Sequence, residues 1–242
     1  MKEYDLTLFR KNLQEMKITL SQKQEEQFLS YYELLTEWNQ RMNLTAITDF
    51  QEVLLKHFVD SLSLVHVVPD LERSSFSLID VGTGAGFPGI PLKIAFPSLR
   101  ITLLDSLGKR VKFLNQVISE LELTQTEAIH GRAEDYAADP VYREAYDLSV
   151  SRAVANLSTL SEYCIPFVKK GGLFISYKSG KIKEEADAAE RAIRILGGKK
   201  ENPIFFLLPG SDMHRTLFTI KKISATPGKY PRKAGLPGRE PL

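Results

Sequence analysis

A single cysteine, Cys164, in a chain of 242 residues leaves no intramolecular disulfide framework to build. No apolar run approaches the roughly 20 residues of a membrane span. The opening stretch, Met1–Arg10, mixes Lys2, Glu3, Asp5 and Arg10 with its apolar residues and lacks the apolar block of a secretory signal. A reduced, cytoplasmic chain with no membrane partner is the expectation. His66, His130 and His214 show no ligand spacing with nearby acids, so no metal is expected either. Nor does charge of one sign prevail, with 32 Lys and Arg against 30 Asp and Glu. The imbalance is local: residues 215–242 carry seven Lys or Arg against one acid, Glu240, a charge of +6 in a chain that totals +2. The length suits one main core with an extension, and we expect a monomer.

Between Lys23 and Met42 the apolar residues Phe28, Tyr31, Leu35, Trp38 and Met42 recur at steps of three and four, the period of an amphipathic helix. A second helical stretch follows over Gln51–Val68. Pro69, Asp70 and the Ser74–Ser75 pair then break the pattern, so residues 1–70 read as a helical N-terminal extension. Across 71–222, short β-rich runs alternate with helical ones, as in a parallel sheet covered by helices. Strands are expected near Phe76–Val81, Arg100–Asp105, Thr126–His130, Tyr146–Ser151, Leu173–Lys178, Ile204–Leu208 and Thr216–Lys221. Helices are expected near Pro88–Phe96, Lys109–Leu121, Asn156–Phe167 and Lys181–Leu196. The chain between Leu207 and Leu217 is too short for a parallel return, which needs about a dozen residues, so the last two strands should pair antiparallel. Four prolines punctuate the basic tail, residues 223–242, which should be extended.

The most informative stretch is Ser77–Gly89, where an apolar strand ends in Asp80 and enters a turn with glycines at 82, 84 and 86. A helix should open at Pro88, a favoured first position. Such glycines permit positive φ and let a nucleotide-like ligand approach bare backbone at a helix N-terminus. A tight turn with no ligand is the competing reading. Gly84–Gly89 also fits the dinucleotide pattern G-x-G-x-x-G, with Asp105 downstream. Asp80 separates the two ligand classes: a carboxylate at a pyrophosphate site repels the ligand, whereas one facing the aminoacyl end of S-adenosylmethionine accepts from its ammonium. Asp105 is placed to hold ribose hydroxyls, or simply to cap the helix that carries Lys109 and Arg110. Ala133 and Glu134, past the third strand, are candidates for the adenine within an otherwise ordinary polar turn.

Read together, Trp38-Asn39, Asn43-Leu-Thr45, His57, Asp60-Ser61, Asp80–Pro91, Leu104-Asp-Ser106, Lys109-Arg110, Gly131–Glu134, Ser151–Val154 and Tyr230–Lys233 resemble the RsmG family, also called glucose-inhibited division protein B. The resemblance runs nearly end to end. It implies an α/β, Rossmann-like methyltransferase fold with a mostly parallel seven-stranded sheet, one antiparallel strand and a helical N-terminal extension. It also implies S-adenosylmethionine as cofactor, contacted by Gly82, Phe87, Ala133, Glu134 and Arg152, beside Asp80, Gly84, Gly86 and Asp105. Ser179 follows Lys178 where the family often has glycine, so no role is assigned to Lys178.

The family's acceptor is N7 of a guanine in 16S rRNA, on free RNA or on a small ribosomal subunit particle. The chain is compatible with that acceptor through what it lacks. No Asn/Asp-Pro-Pro-aromatic motif for orienting an exocyclic amine follows the fourth strand, where Ser151–Asn156 stand. Pyrimidine C5 methylation generally needs a cysteine nucleophile, and Cys164 reads as a packing residue. Guanine N7 carries an in-plane lone pair, so no general base is required and positioning supplies most of the catalysis. Arg152 is placed to hold the cofactor carboxylate or the acceptor, with a surface cation as the plainer reading. His57 and Asp60, at i and i+3, suit a local bond to one another or RNA contact; Asn39 and Asn43 suit a cross-link or cap. Lys229, Arg232 and Lys233 are expected to meet RNA phosphates. An RNA-binding module without turnover, and a small-molecule methyltransferase, are the competing functions; the basic tail argues against the second.

Overall fold

The computed structural model describes residues 4–152, 155–180 and 182–242; Met1–Glu3, Ala153 and Val154 of the Ser151–Val154 motif, and Lys181 lie outside them. Helix α1 (Thr7–Glu15) is followed by α2 (Gln22–Met42), which opens on a capping box in which Ser21 accepts from the Gln24 amide and Gln24 accepts from the Ser21 amide. Asn43, at φ 48°, closes α2 in the left-handed conformation. Phe28, Tyr31 and Leu35 are fully buried, as their spacing requires. The second helical stretch is irregular: α3 (Phe50–Val53) widens into a π-helical turn over Leu54–Val59, continues as α4 (Asp60–Leu62) and tightens over Ser63–His66. Tyr31 ties this layer to the rest by donating to the Ala85 carbonyl at 2.5 Å.

The sheet is built from β1 (Ser77–Val81), β2 (Arg100–Asp105), β3 (Thr126–His130), β4 (Tyr146–Ser151), β5 (Val168–Ser179), β6 (Gly198–Lys200), β7 (Ile204–Leu207) and β8 (His214–Lys222). Its order is β3-β2-β1-β4-β5-β8-β6, with β7 also on β8. The first five strands are parallel, and β8 runs antiparallel to β5, β6 and β7. Three residues of β6 are too few to show a period, so this eighth strand escapes a sequence reading. Between the strands run α5 (Gly89–Ala95), α6 (Gly108–Glu120), α7 (Ala133–Tyr136), α8 (Leu157–Cys164) and α9 (Lys183–Ile195). Pro88 precedes α5 as its cap, so the helix opens one residue later than expected.

Alternate strand residues feed two cores. Leu78, Leu103, Val150 and Ile175 face the N-terminal helices, and the same cluster takes in Phe9, Phe28 and Phe58. Ile79, Leu104 and Phe174 face the other side, with Leu160, Cys164 and Ile193. Each fully buried Phe or Leu contributes about 1.5–3 kcal/mol. The C-terminal tail departs from expectation, because it forms a one-turn helix, α10 (Leu236–Arg239), and packs on α8. Proline at the start of a helix costs no hydrogen bond, and Pro237 sits there.

Candidate active site

The glycine loop follows directly from β1. Gly82, Gly84 and Gly86 take φ of 72°, 64° and 100°, values that carry no strain only for glycine. They serve different ends. A Cβ on Gly84 would meet nothing within 4 Å, whereas one on Gly86 would strike Ile90 and the Tyr31 hydroxyl. Gly84 therefore leaves open space over its backbone, and Gly86 lets the N-terminal layer close against the loop. Asp80 lies behind the loop, fully buried, and not at its mouth as the sequence suggested. Its Oδ2 accepts from Thr83 Oγ1 at 2.7 Å and from the Gly89 amide at 2.9 Å. Its Oδ1 is buried with no hydrogen-bond partner among the described residues. Burial pushes the carboxyl up to about 6, against the lowering effect of those two bonds.

Beside the loop, at the carboxyl ends of β1, β2 and β3, a cavity of about 200 Å³ is lined by Gly82, Leu104, Ser106, Ala133, Glu134 and Tyr163. It adjoins the point where strand order reverses between β1 and β4, the place where ligands enter open α/β sheets. Asp105 stands at its edge: Oδ2 accepts from the Gly84 amide at 2.9 Å and Oδ1 from the Leu107 amide at 2.8 Å, with Arg110 at 3.4 Å. It thus ties the loop to the start of α6. An adenosyl group fits this lining, which offers bare backbone at Gly82 and one carboxylate, Glu134, to accept from an amine.

A larger cavity, about 480 Å³, is lined among others by Lys56, Asp60, Arg152, Tyr177, Lys178 and Arg215. It flanks the far side of the β4 end: Asp80 pairs Val150, which brings Gly82 and Arg152 level two residues on. Arg152 donates to the Lys56 carbonyl at 3.1 Å and to Asp60 Oδ2 at 3.0 Å, and its other terminal nitrogen lies 3.0 Å from His57 Nδ1. Its guanidinium also lies over the Phe87 ring at 4.9 Å. It is therefore no free surface cation. Of the two readings for His57 and Asp60, the bond to one another is not formed; both bond Arg152 instead. His57 stacks on Phe87 with centroids 4.5 Å apart and reaches Thr45 Oγ1 at 2.9 Å. Burial and then the neighbouring Arg152 charge push its imidazole down to about 3, so it is neutral at pH 7.

The first cavity thus gathers Gly82, Ala133 and Glu134, while Arg152 belongs to the second and Phe87 packs between His57 and Tyr31. Sequence reasoning missed Arg215, whose Nε donates to Asp60 Oδ1 at 2.8 Å, and Tyr177, which donates to the Ser61 carbonyl. Membership in the basic C-terminal region was Arg215's only signal. Lys178 pairs with Glu185 at 2.7 Å and donates to the Ala155 carbonyl, and Ala155 lines the first cavity. Asn39 exchanges two hydrogen bonds with Thr45. Cys164 is fully buried, and burial pushes its thiol far up, which keeps it protonated.

Part of the charge of the basic C-terminal region is engaged internally. Lys222 is 1 % exposed and bonded to the Ile165 carbonyl, Thr226 and Glu144. Arg232, expected on a phosphate, grips the buried Glu162 instead, with Nη2 2.7 Å from Oε2. Lys229 and Lys233 stay exposed, the former over the Tyr230 ring.

The profile of the family described as GidB, rRNA small subunit methyltransferase G, matches residues 24–211. The ribosomal RNA small subunit methyltransferase G of Lachnoclostridium phytofermentans is 53% identical over 238 residues, 98% of this chain and 98% of that protein. The protein of the same name from Acetivibrio thermocellus is 53% identical over 225 residues, 93% of this chain and 91% of its own. Among solved structures, a geranyl diphosphate C-methyltransferase from Streptomyces coelicolor superposes with a TM-score of 0.52 at 13% identity, over 68% of this chain and 79% of that one. At that identity the likeness is one of fold: the Rossmann-like methyltransferase architecture.

Proposed function

Because this chain belongs to the rRNA small subunit methyltransferase G family, we propose that it transfers a methyl group from S-adenosylmethionine to N7 of one guanine in 16S rRNA. The observation that carries this reading is the pair of cavities on either side of the β4 end. One offers the backbone of Gly82 and the Glu134 carboxylate; the other offers four cations, Lys56, Arg152, Lys178 and Arg215, against the acids Asp60 and Glu185. When bound, the cofactor supplies an electrophilic methyl group on a sulfonium. Gly84 would let it lie against the loop, Glu134 and Asp105 would accept from its amine and hydroxyl donors, and Asp80 Oδ1 is a buried acceptor without a partner among the described residues. Arg152, held by Asp60 and His57, stands where cofactor and acceptor meet. Lys56, Lys178 and Arg215 give the second cavity the charge to take a phosphate, and Phe206 on its wall offers an apolar face for a base.

Transfer forms the N7–carbon bond as the sulfur–carbon bond breaks, and the positive charge passes to the guanine ring. No proton leaves, so alignment in line with the breaking bond is what the protein must supply. Lys229 and Lys233 extend the cationic surface for RNA phosphates. The test is incubation with labelled cofactor and 16S rRNA from cells lacking the protein, followed by nucleoside analysis. Label in N7-methylguanine supports the reading; label in an exocyclic N-methyl or a pyrimidine C5-methyl overturns the acceptor.

A further inference from the structure

The C-terminal tail is fastened to the walls of the first cavity by a set of polar bonds. Glu162 on α8 is fully buried, and its carboxylate receives the Arg232 amide at 2.7 Å and the Arg232 guanidinium at 2.7–3.1 Å. Three residues on, the Gly235 amide donates to Glu134 Oε1 at 2.7 Å. Gly235 reaches this geometry with φ of 81°, in the region that favours glycine. Thr159, again on α8, donates to the Pro237 carbonyl at 3.0 Å. The residues so gripped are wall residues or their neighbours: Glu134 lines the cavity, as do Leu160 and Tyr163 on either side of Glu162 on α8.

A buried Glu–Arg pair gains little over apolar residues of the same volume, because desolvation offsets the attraction. Its use here is geometric. Rings and methyl groups would hold the tail down without fixing where its Gly235 amide points. With Glu162 and Thr159 fixing the segment on either side, that amide meets Glu134 Oε1. Glu134 Oε2 then makes no hydrogen bond among the described residues, while the side chain is 6 % exposed and lines the cavity.

We propose that residues 232–239 are a positioning element of the cofactor pocket, in which the Gly235 amide, anchored through Arg232–Glu162 and Thr159–Pro237, aims the second oxygen of Glu134 at the adenine amine. The inference rests on the cofactor reading above. It assigns Arg232 to cofactor binding through Glu134, and leaves RNA contact to its exposed neighbours.

The test is calorimetric titration of S-adenosylhomocysteine into the full chain, into a chain ending at Lys233, into Glu134→Gln, and into the two changes combined. Losing a hydrogen bond to a buried carboxylate should weaken affinity about tenfold in the shortened chain. In the Glu134→Gln background the same shortening should change affinity by less than about twofold, because sites in one network are not additive. A tail that only stabilises the fold would lower the melting temperature and leave the two effects multiplicative, which overturns the proposal. So does full affinity in a shortened chain. Should that chain fail to melt cooperatively, Thr159→Val, which removes only the Pro237 bond, should weaken affinity about threefold alone and not with Glu134→Gln; no effect overturns the proposal. If the full chain binds no S-adenosylhomocysteine, the cofactor reading itself has failed.

Discussion

Asp60→Asn should lower both stability and methyl transfer while sparing cofactor affinity. The Asp60 carboxylate is 6 % exposed and divides its oxygens between two cations, Arg152 at 3.0 Å and Arg215 at 2.8 Å. Asparagine keeps the shape, but it offers one accepting oxygen and turns an N–H₂ toward the other guanidinium. One arginine then loses its partner. Breaking a fully buried pair costs about 3–5 kcal/mol. The two guanidinium side chains keep 18% and 20% of their exposure, and discounting for that solvation leaves about 2–3 kcal/mol. For a chain of this length, that lowers the melting temperature by roughly 5–10 °C. Arg152 would also lose the bond that holds it beside His57, so kcat/KM for RNA should fall further than the loss of folded protein explains. Calorimetric melting, cofactor titration and initial rates on one preparation decide the matter. An Asp60→Asn chain that melts within 1 °C or so of wild type and turns over at full rate would refute the bridging role.

Three further outcomes follow from the same geometry. Gly84→Val should abolish cofactor binding while the chain still folds, because the new side chain points into open space beside the cavity; measurable binding would show that the ligand lies elsewhere. Asp80→Asn should stabilise the apo chain as it weakens the cofactor site. The native Asp80 carboxyl is raised from 3.8 to about 6, so its contribution is complete below the unfolded value and is lost as pH rises through the folded one. A neutral amide escapes that loss, and unfolding free energies from urea titrations at pH 3 to 8 should swing by about 2 kcal/mol in the variant's favour between pH 4 and 7; a pH-independent difference would contradict it. Neutralising Lys229 and Lys233 should flatten the log–log salt dependence of RNA binding by about two units, and an unchanged slope would mean that both charges are merely solvated.

What the sequence made legible was what local rules determine. Strand β2, β3 and β4 bounds follow from runs bounded by turn residues, and the loop glycines follow from backbone that only glycine adopts without strain. The Arg152–Asp60–Arg215 bridge was not legible, because its members stand 92 and 155 residues apart and meet only through the sheet order. Arg232 misled for the same reason: in sequence it is one of a basic run, and only the fold brings it to Glu162, 70 residues away. Helical spacing left His57 and Asp60 open between a bond to one another and RNA contact, and did not show that both meet Arg152, 95 and 92 residues away.

The central claim is tested most directly by the chemistry of the product. Methylation at N7 leaves a positively charged guanine whose imidazole ring borohydride reduces; the base is then lost, and aniline cleaves the strand there. Small-subunit RNA from cells lacking the protein, incubated with this chain and S-adenosylmethionine, should gain a single new cleavage site. It should gain none when either is withheld. Cofactor-dependent labelling of the RNA with no such cleavage would contradict the N7 assignment, and no labelling at all would contradict the methyltransferase account.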